Sequence, residues 1–364
     1  MPAEKLPDAG NPEASAPKIV EQLIHEAECA AASDIHLQME SNGAVVSFRL
    51  DGMLTPVTKY STDIAERVFG RIKFLARLKT YQDSMPQDGR IDKATVNSES
   101  DIRVATYPTV TGEKIVLRLF NATEVKGLDE LAFPLEACVE LKQFLRQSSG
   151  LLLITGPAGS GKTTTIYACL LALAAPSGRH IITIEDPVEQ IVPGVMQTEI
   201  NEARGLDFGK AARHLLRQDP QALIIGEIRD EETANIAIRA ALTGHLVVST
   251  LHAGSCKGVF ERLLVLSADR SAMASSVELV LNQRLVRALC RQCLGAGCTA
   301  CLQTGYKGRV PLVEWLRVSE PLRADIRRQD LQAAVPQRSL EESARALLQR
   351  GLTDEAEYQR VFGL

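Results

Sequence analysis

What this chain lacks narrows its function before any motif is considered. It has no basic excess: Lys and Arg total 41 against 45 Asp and Glu, a formal net charge of −4. That is not the electrostatic footprint of a general nucleic-acid binder. Aromatic residues are 4% of the chain and form no stripe with basic ones, which counts against a motor that tracks single-stranded nucleic acid. No apolar run approaches the roughly 18 residues needed to span a bilayer. The opening MPAEKLPDAGNPEASAPK lacks the basic-then-apolar pattern of a secretory signal, so a cytoplasmic protein is expected. Eight cysteines in a reducing compartment do not suggest a disulfide framework, which makes their clustering the informative property. At 364 residues, 45% hydrophobic and 24% charged, the chain is long enough for two soluble domains, each with its own core.

The strongest positive signal is LLLITGPAGSGKTTTIYAC at 151–169. An apolar strand, Leu151 to Ile154, enters the loop Gly156-Pro157-Ala158-Gly159-Ser160-Gly161-Lys162-Thr163-Thr164, and a helix follows. This is a P-loop. Its glycines let successive backbone N–H groups face one anion, and the helix N-terminus adds partial positive charge. Lys162 is expected on the β/γ-phosphates and the Thr163 hydroxyl on Mg2+, with ATP as the nucleotide.

Around this loop the chain changes character. Residues 1–17, carrying Pro2, Pro7, Pro12 and Pro17, read as a disordered lead-in. Residues 18–120 read as a small α+β unit: a helix striped by Ile19, Leu23, Ile24 and Ala27, and a hairpin turning at Asp51-Gly52. A second helix carries Ile64, Val68, Ile72 and Leu75, and strands follow at Ile102–Tyr107 and Lys114–Phe120. Residues 121–135 read as a linker. From 136 to 289 strands and helices alternate, implying a mostly parallel sheet with nucleotide at the strand C-termini. Beyond residue 256 the chain reads as largely helical, interrupted by a cysteine cluster at 290–301. Residues 302–364 read as a helical C-terminal region that closes with a capping box at Ser339-x-x-Glu342.

Three further segments end predicted strands on the same side as the P-loop: Glu185-Asp186-Pro187, Gly226-Glu227-Ile228-Arg229-Asp230 and Leu251-His252. Taken singly, a Glu after a strand is usually a solvated loop residue and a lone His a structural one. Together they supply what ATP hydrolysis needs: a carboxylate for Mg2+, another to orient the attacking water, and a group at the γ-phosphate.

With these motifs in view, the chain resembles the ATPases of type II secretion and type IV pilus assembly, the general secretory pathway protein E-like family. GPAGSGKTTT is similar to their Walker A, TIEDPVE to their aspartate box, LRQDPQALIIGEIRD to their Walker B and TGHLVVSTLHA to their histidine box. The match is collinear from Ser33 through Val313. The resemblance implies an α/β fold: a RecA-like P-loop NTPase domain preceded by a small α+β PAS-like domain, assembled as a homohexamer. It implies that Glu227 helps position Mg2+, that Glu185 activates water and that His252 senses the γ-phosphate. The sequence leaves open which of Glu185 and Glu227 is the base. Arg90, Arg103 and Arg118 match positions from which related ATPases reach nucleotide within or across subunits, and Arg103 and Arg118 are the preferred pair. A surface arginine in a weak salt bridge is the alternative for each.

Cys290-x2-Cys293-x4-Cys298-x2-Cys301 sets two CxxC knuckles in twelve residues, enough to close around one tetrahedral Zn2+. Reduced free cysteines and an iron–sulfur cluster are the alternatives. Many family members space the two pairs farther apart. Cys29, Cys138, Cys169 and Cys256 stand alone and read as packing residues. The family also implies a polytopic inner-membrane platform protein as partner, with this chain peripheral to that membrane, though it reads as a short member without the additional N-terminal docking domain. The expected function is a motor powering assembly of a type II secretion pseudopilus or a type IV pilus. A retraction motor of the same superfamily and a low-turnover regulatory nucleotide-binding subunit are the alternatives.

Overall fold

The computed structural model describes residues 15–119, 125–175 and 178–363. They fall into two compact units, Met1–Glu124 with Gln292–Lys307 and Val125–Arg291 with Gly308–Leu364. Most of the expected lead-in, Phe120 and the first part of the expected linker lie outside the described residues.

The N-terminal unit opens with helix α1, Ala16–Cys29. Pro17 sits in its first turn, where a missing N–H costs nothing, so the helix begins inside the stretch expected to be disordered. Strands β1 (Asp34–Glu40), β2 (Gly43–Leu50) and β3 (Met53–Tyr60) lead to α2 (Thr62–Leu75). Then come β4 (Gln87–Ile91), a single turn α3 (Lys93–Val96), β5 (Ile102–Thr109) and β6 (Gly112–Leu119). The six strands form one sheet in the order β3-β2-β1-β6-β5-β4, every registered neighbour antiparallel. Alternation along β5 and β6 sends Ile102, Val104, Ile115 and Leu117 to the face covered by Val20, Leu23 and Ile24 of α1 and Val68 and Ile72 of α2. The Asp51-Gly52 turn forms as expected, both residues at positive φ.

The C-terminal unit starts at Val125. Leu128 and Leu131, read as linker, are buried in its core. Helix α4 (Leu135–Leu145) precedes β7 (Gly150–Thr155), α5 (Lys162–Ala174), β8 (Ile181–Glu185) and β9 (Met196–Glu199). Next are α6 (Phe208–Leu215), β10 (Ala222–Ile225), α7 (Glu231–Leu242), β11 (Leu246–Leu251), α8 (Cys256–Leu266) and α9 (Arg270–Ser276). The chain ends with β12 (Val277–Leu289), β13 (Tyr306–Arg317), α10 (Glu320–Arg328), α11 (Leu340–Gln349) and α12 (Glu355–Phe362). One seven-stranded sheet runs β13-β12-β7-β11-β10-β8-β9. Successive residues of its central strands serve opposite cores. Leu151, Leu153, Leu223, Ile225 and Val247 pack toward α6 to α9, whereas Leu152, Ile154, Ile224 and Val248 pack toward α4 and α5.

The expectation of a helical region after residue 256 is corrected here, because β12 and β13 are long strands and both belong to the seven-stranded sheet. VELVLNQRLVRAL has apolar residues compatible with a helical stripe. Its first seven residues are almost all buried, since a parallel strand covered on both faces need not alternate. The capping box at Ser339 does form, with both reciprocal bonds present.

Helix α12 is fixed to β12 by Glu357, which is fully buried and accepts from the Arg287 amide at 2.8 Å and the Arg287 side chain at 2.8 Å. Arg360 adds a bond at 2.6 Å. Burial works against the charged carboxyl, but the hydrogen bonds from Arg360 and Arg287 outweigh it and hold the group below its ordinary 4.5. Its contribution to stability is therefore complete above that value and is lost as pH falls through the lowered one. Glu357→Ala should cost about 3 kcal/mol at neutral pH, by stranding two guanidinium groups, and the deficit should shrink in acid. Urea denaturation at pH 7 and pH 3.5 checks both statements.

Candidate nucleotide site

The parallel register brings the sequence-predicted motifs of the C-terminal unit to one edge of the sheet. Ile225 pairs with both Ile184 and Ser249, Ser249 with Leu153, and Leu251 with Thr155. The residues that follow each strand therefore emerge side by side: the P-loop after β7, Glu185 at the end of β8, Glu227 just beyond β10 and His252 just beyond β11. Backbone and hydroxyl bonds tie these ends together. Gly226 N–H donates to Ile184 O at 2.8 Å, Thr250 Oγ1 to Gly226 O at 2.7 Å and Thr155 Oγ1 to Ala253 O at 2.9 Å.

The P-loop needs its glycines for two different reasons. Gly161, at φ 91°, caps α5 in the left-handed region. Gly156, at φ 139°, lies on β12, where a Cβ would stand 2.2 Å from the Gln283 carbonyl oxygen. Pro157, Ala158, Gly159, Thr163 and Thr164 are exposed, and Ser160 is buried beneath them. The Lys162 ammonium donates to the Gly156 and Pro157 carbonyls at 2.8 and 3.0 Å. Burial lowers its pKa, and the negative charge of Glu227 opposes that shift, which places Glu227 in the field of the P-loop lysine.

Glu227 is the hub of a charged cluster. Its Oε1 lies 3.0 Å from His252 Nε2 and its Oε2 accepts from Arg229 Nε at 2.7 Å. Arg229 also approaches Asp186 at 3.6 Å and stacks over Phe208. Glu185 is different in kind. It is buried, and its carboxylate accepts from Tyr167 Oη at 2.5 Å, Thr183 Oγ1 at 2.5 Å and Gln197 Nε2 at 3.0 Å. Tyr167, Gln197, Arg229 and Gln283 were not anticipated from the sequence. Tyr167 reads as a core residue of α5, and β9, which carries Gln197, has no alternating apolar pattern.

Arg90, Arg103 and Arg118 belong to the N-terminal unit and face one another across three strands, Arg90 opposite Arg103 and Arg103 opposite Arg118. Arg90 pairs with Asp101, and Arg118 with the buried Asp34 at 3.0 Å. Three guanidinium groups in one cross-strand row repel, and the Asp101 and Asp34 carboxylates offset part of that charge.

The four clustered cysteines converge, their Sγ atoms all within 4.8 Å of one another. Cys301 Sγ is 3.8 Å from Cys293 Sγ and 3.7 Å from Cys298 Sγ. With Zn–S bonds of about 2.3 Å, a tetrahedral site sets its sulfurs roughly 3.8 Å apart, so the spacing suits one ion. Burial would raise the Cys301 thiol, but the Cys298 and Gly305 backbone N–H groups and the neighbouring thiols bring it down to about 6. Of the lone cysteines, Cys138, Cys169 and Cys256 are buried, whereas Cys29 is exposed rather than packed.

Fold and site together define a P-loop nucleotide-binding protein. The sequence profile of the Type II/IV secretion system protein family matches residues 11–360, and the chain belongs to that family. It is 37% identical over 380 residues to the putative type II secretion system protein E of Escherichia coli K12, spanning 97% of this chain and 76% of that protein. It is 37% identical over 339 residues to the type IV pilus assembly ATPase PilB of Thermus thermophilus, spanning 85% of this chain and 38% of that one. The crystal structure of the pilus retraction motor PilT with bound ADP superposes with a TM-score of 0.66 at 25% identity, covering 93% of this chain and 96% of that one.

Gly156→Ala should lower the unfolding free energy by about 1–3 kcal/mol through the strained φ and the clash with the Gln283 carbonyl. It should weaken nucleotide binding about tenfold or more, a loss of at least about 1.4 kcal/mol. Titration with a fluorescent ATP analogue, beside a urea melt, checks this; wild-type affinity in the variant would mean that the carbonyl yields.

Proposed function

We propose that this chain is one subunit of a homohexameric ATPase that powers assembly of a type II secretion pseudopilus or a type IV pilus. It would act on a polytopic platform protein at the cytoplasmic face of the inner membrane. The observation that carries the ATPase reading is the convergence of the P-loop, Glu185, Glu227 and His252 at adjacent strand ends. The named relatives support the choice of apparatus. Among the described residues no helix is long and apolar enough to cross a membrane. The chain would attach to the membrane through its partner.

In this reading the exposed Thr163 hydroxyl and Glu227 would hold Mg2+, which would supply positive charge against the phosphates of the nucleotide. Lys162 leaves the loop carbonyls for the phosphates. Glu185, deep in the sheet edge and held by hydrogen bonds, orients the attacking water as its base. His252, already on Glu227, reports the γ-phosphate to that carboxylate. The antiparallel sheet backed by two helices supports a PAS-like N-terminal domain, and its arginine row supports a contribution to a neighbouring subunit's nucleotide. The likeness to PilT favours a retraction motor as second reading, whereas the compact tetracysteine loop, which retraction members usually lack, favours assembly.

Two tests follow from these roles. Lys162→Ala should remain folded and lose Mg-ATP turnover. Arg103→Ala should still bind ATP while turning over about 10^3-fold more slowly. Mixing the two variants should restore part of the rate if the arginine acts across an interface; full rates in both Arg103→Ala and Arg118→Ala would leave that pair purely structural. The second test concerns metal. Protein purified without chelator should contain one zinc per chain by elemental analysis, absent from a Cys290→Ser/Cys293→Ser variant. A metal-free wild type would refute the zinc site, and a brown, iron-containing one would replace it with a cluster.

A further inference from the structure

Glu185 is buried yet hydrogen-bonded in an unusually complete way. An ionised carboxylate offers about four acceptor positions. Oε1 accepts twice, from Thr183 Oγ1 at 2.5 Å and Gln197 Nε2 at 3.0 Å, and Oε2 accepts once, from Tyr167 Oη at 2.5 Å. Among the described residues a single acceptor position remains, and it is on Oε2.

The donors are not independent of the loop that follows β8. Tyr167 Oη accepts from the Glu189 and Gln190 backbone N–H groups, both at 3.1 Å, so one hydroxyl bridges the carboxylate and the loop. Gln197 does the same from β9: its Nε2 also donates to Gln190 O at 3.0 Å, and its Oε1 accepts from Val192 N–H at 2.6 Å. The amide is thereby locked in one orientation. Ile191, between these anchored residues, is 83% exposed. Burial first, and then the neighbouring carboxylate, push the Tyr167 phenol far above its ordinary range, so it stays a proton donor at any working pH.

We propose that Tyr167 and Gln197 are positioning residues. They hold the Glu185 carboxylate with its one open acceptor position on Oε2, and they tie that orientation to the 189–192 segment. A contact that shifts this segment turns the carboxylate with it, and the rate of hydrolysis follows. The inference rests on Glu185 as the water-activating carboxylate and adds which oxygen acts and what sets its direction.

The experiment compares kcat, KM for ATP and amide hydrogen exchange in Tyr167→Phe, Gln197→Met, Glu185→Gln and the Tyr167→Phe/Glu185→Gln double variant, all in the full chain. Tyr167→Phe keeps the ring and its packing and removes only the hydroxyl. It should lower kcat about 10- to 100-fold with KM within about threefold, the signature of a misplaced catalytic group. The Glu189 and Gln190 amides should exchange faster. Gln197→Met should lower kcat similarly and speed exchange at Val192; it carries the test if Tyr167→Phe does not fold. In the double variant the tyrosine change should cost nothing beyond Glu185→Gln, because both act through one group. Wild-type kcat in Tyr167→Phe and Gln197→Met beside an inactive Glu185→Gln would overturn this inference alone, as would a full multiplicative loss in the double variant. A fully active Glu185→Gln would overturn the Glu185 reading and this inference with it.

Discussion

The parallel register of β7, β11, β10 and β8 is the constraint on which the rest of the C-terminal unit depends. Four strands that begin together end together, so the loops leaving them converge without any loop having to reach. Slipping one strand by a single residue would exchange the side chains that fill the two cores and send its terminal carboxylate to the wrong side of the sheet. The two-sided core makes that slip expensive. Leu151 and Leu153 belong to one cluster and Leu152 and Ile154 to the other, so each central strand is committed on both faces. Register is thus held by hydrophobic burial and used for electrostatics.

The site solves the cost of gathering charge in two ways. Glu227 is balanced by cations or potential cations, Lys162, Arg229 and His252, at a partly exposed position. Glu185 has no cationic partner within salt-bridge distance among the described residues and is balanced by neutral donors. A buried carboxylate satisfied by hydroxyls and an amide keeps its charge localised and directional. One paired with a guanidinium would have that charge largely cancelled. This contrast separates the two carboxylates that the sequence alone leaves interchangeable: a partly exposed charged hub beside the P-loop lysine at Glu227, a buried carboxylate held by neutral donors at Glu185.

How far the sequence could be read follows the same physics. The P-loop was legible because strand, glycine spacing and helix are all local, and Glu185, Glu227 and His252 were legible because each directly follows a short buried strand. Helix stripes and the Asp51-Gly52 turn were legible for the same reason. β4 and β9 were not, since QDGRI and MQTE are short, polar edge strands whose pairing is set by partners far along the chain. β12 was misread because burial on both faces erases alternation. Tyr167 and Gln197 were invisible because their role depends on where a loop from another part of the sequence comes to lie.

β12 is also where the fold's separate tasks meet in one element. Near its middle, the Gln283 carbonyl seats Gly156 and the Gln283 amide bonds Thr165 of α5 at 3.0 Å, while Asn282 holds Gly254 just past His252 at 3.1 Å. Four residues on, Arg287 is clamped by the buried Glu357 of α12. Immediately after the strand comes Cys290, 1% exposed and the first of the four clustered thiols. The strand is hydrogen-bonded to β7 in its first half and held at Arg287 in its second. Gln283, against the P-loop, and Cys290 are thus joined by the remainder of a strand rather than by a loop. The four thiols converge where that segment ends, so an ion bound among them would give it a firm end.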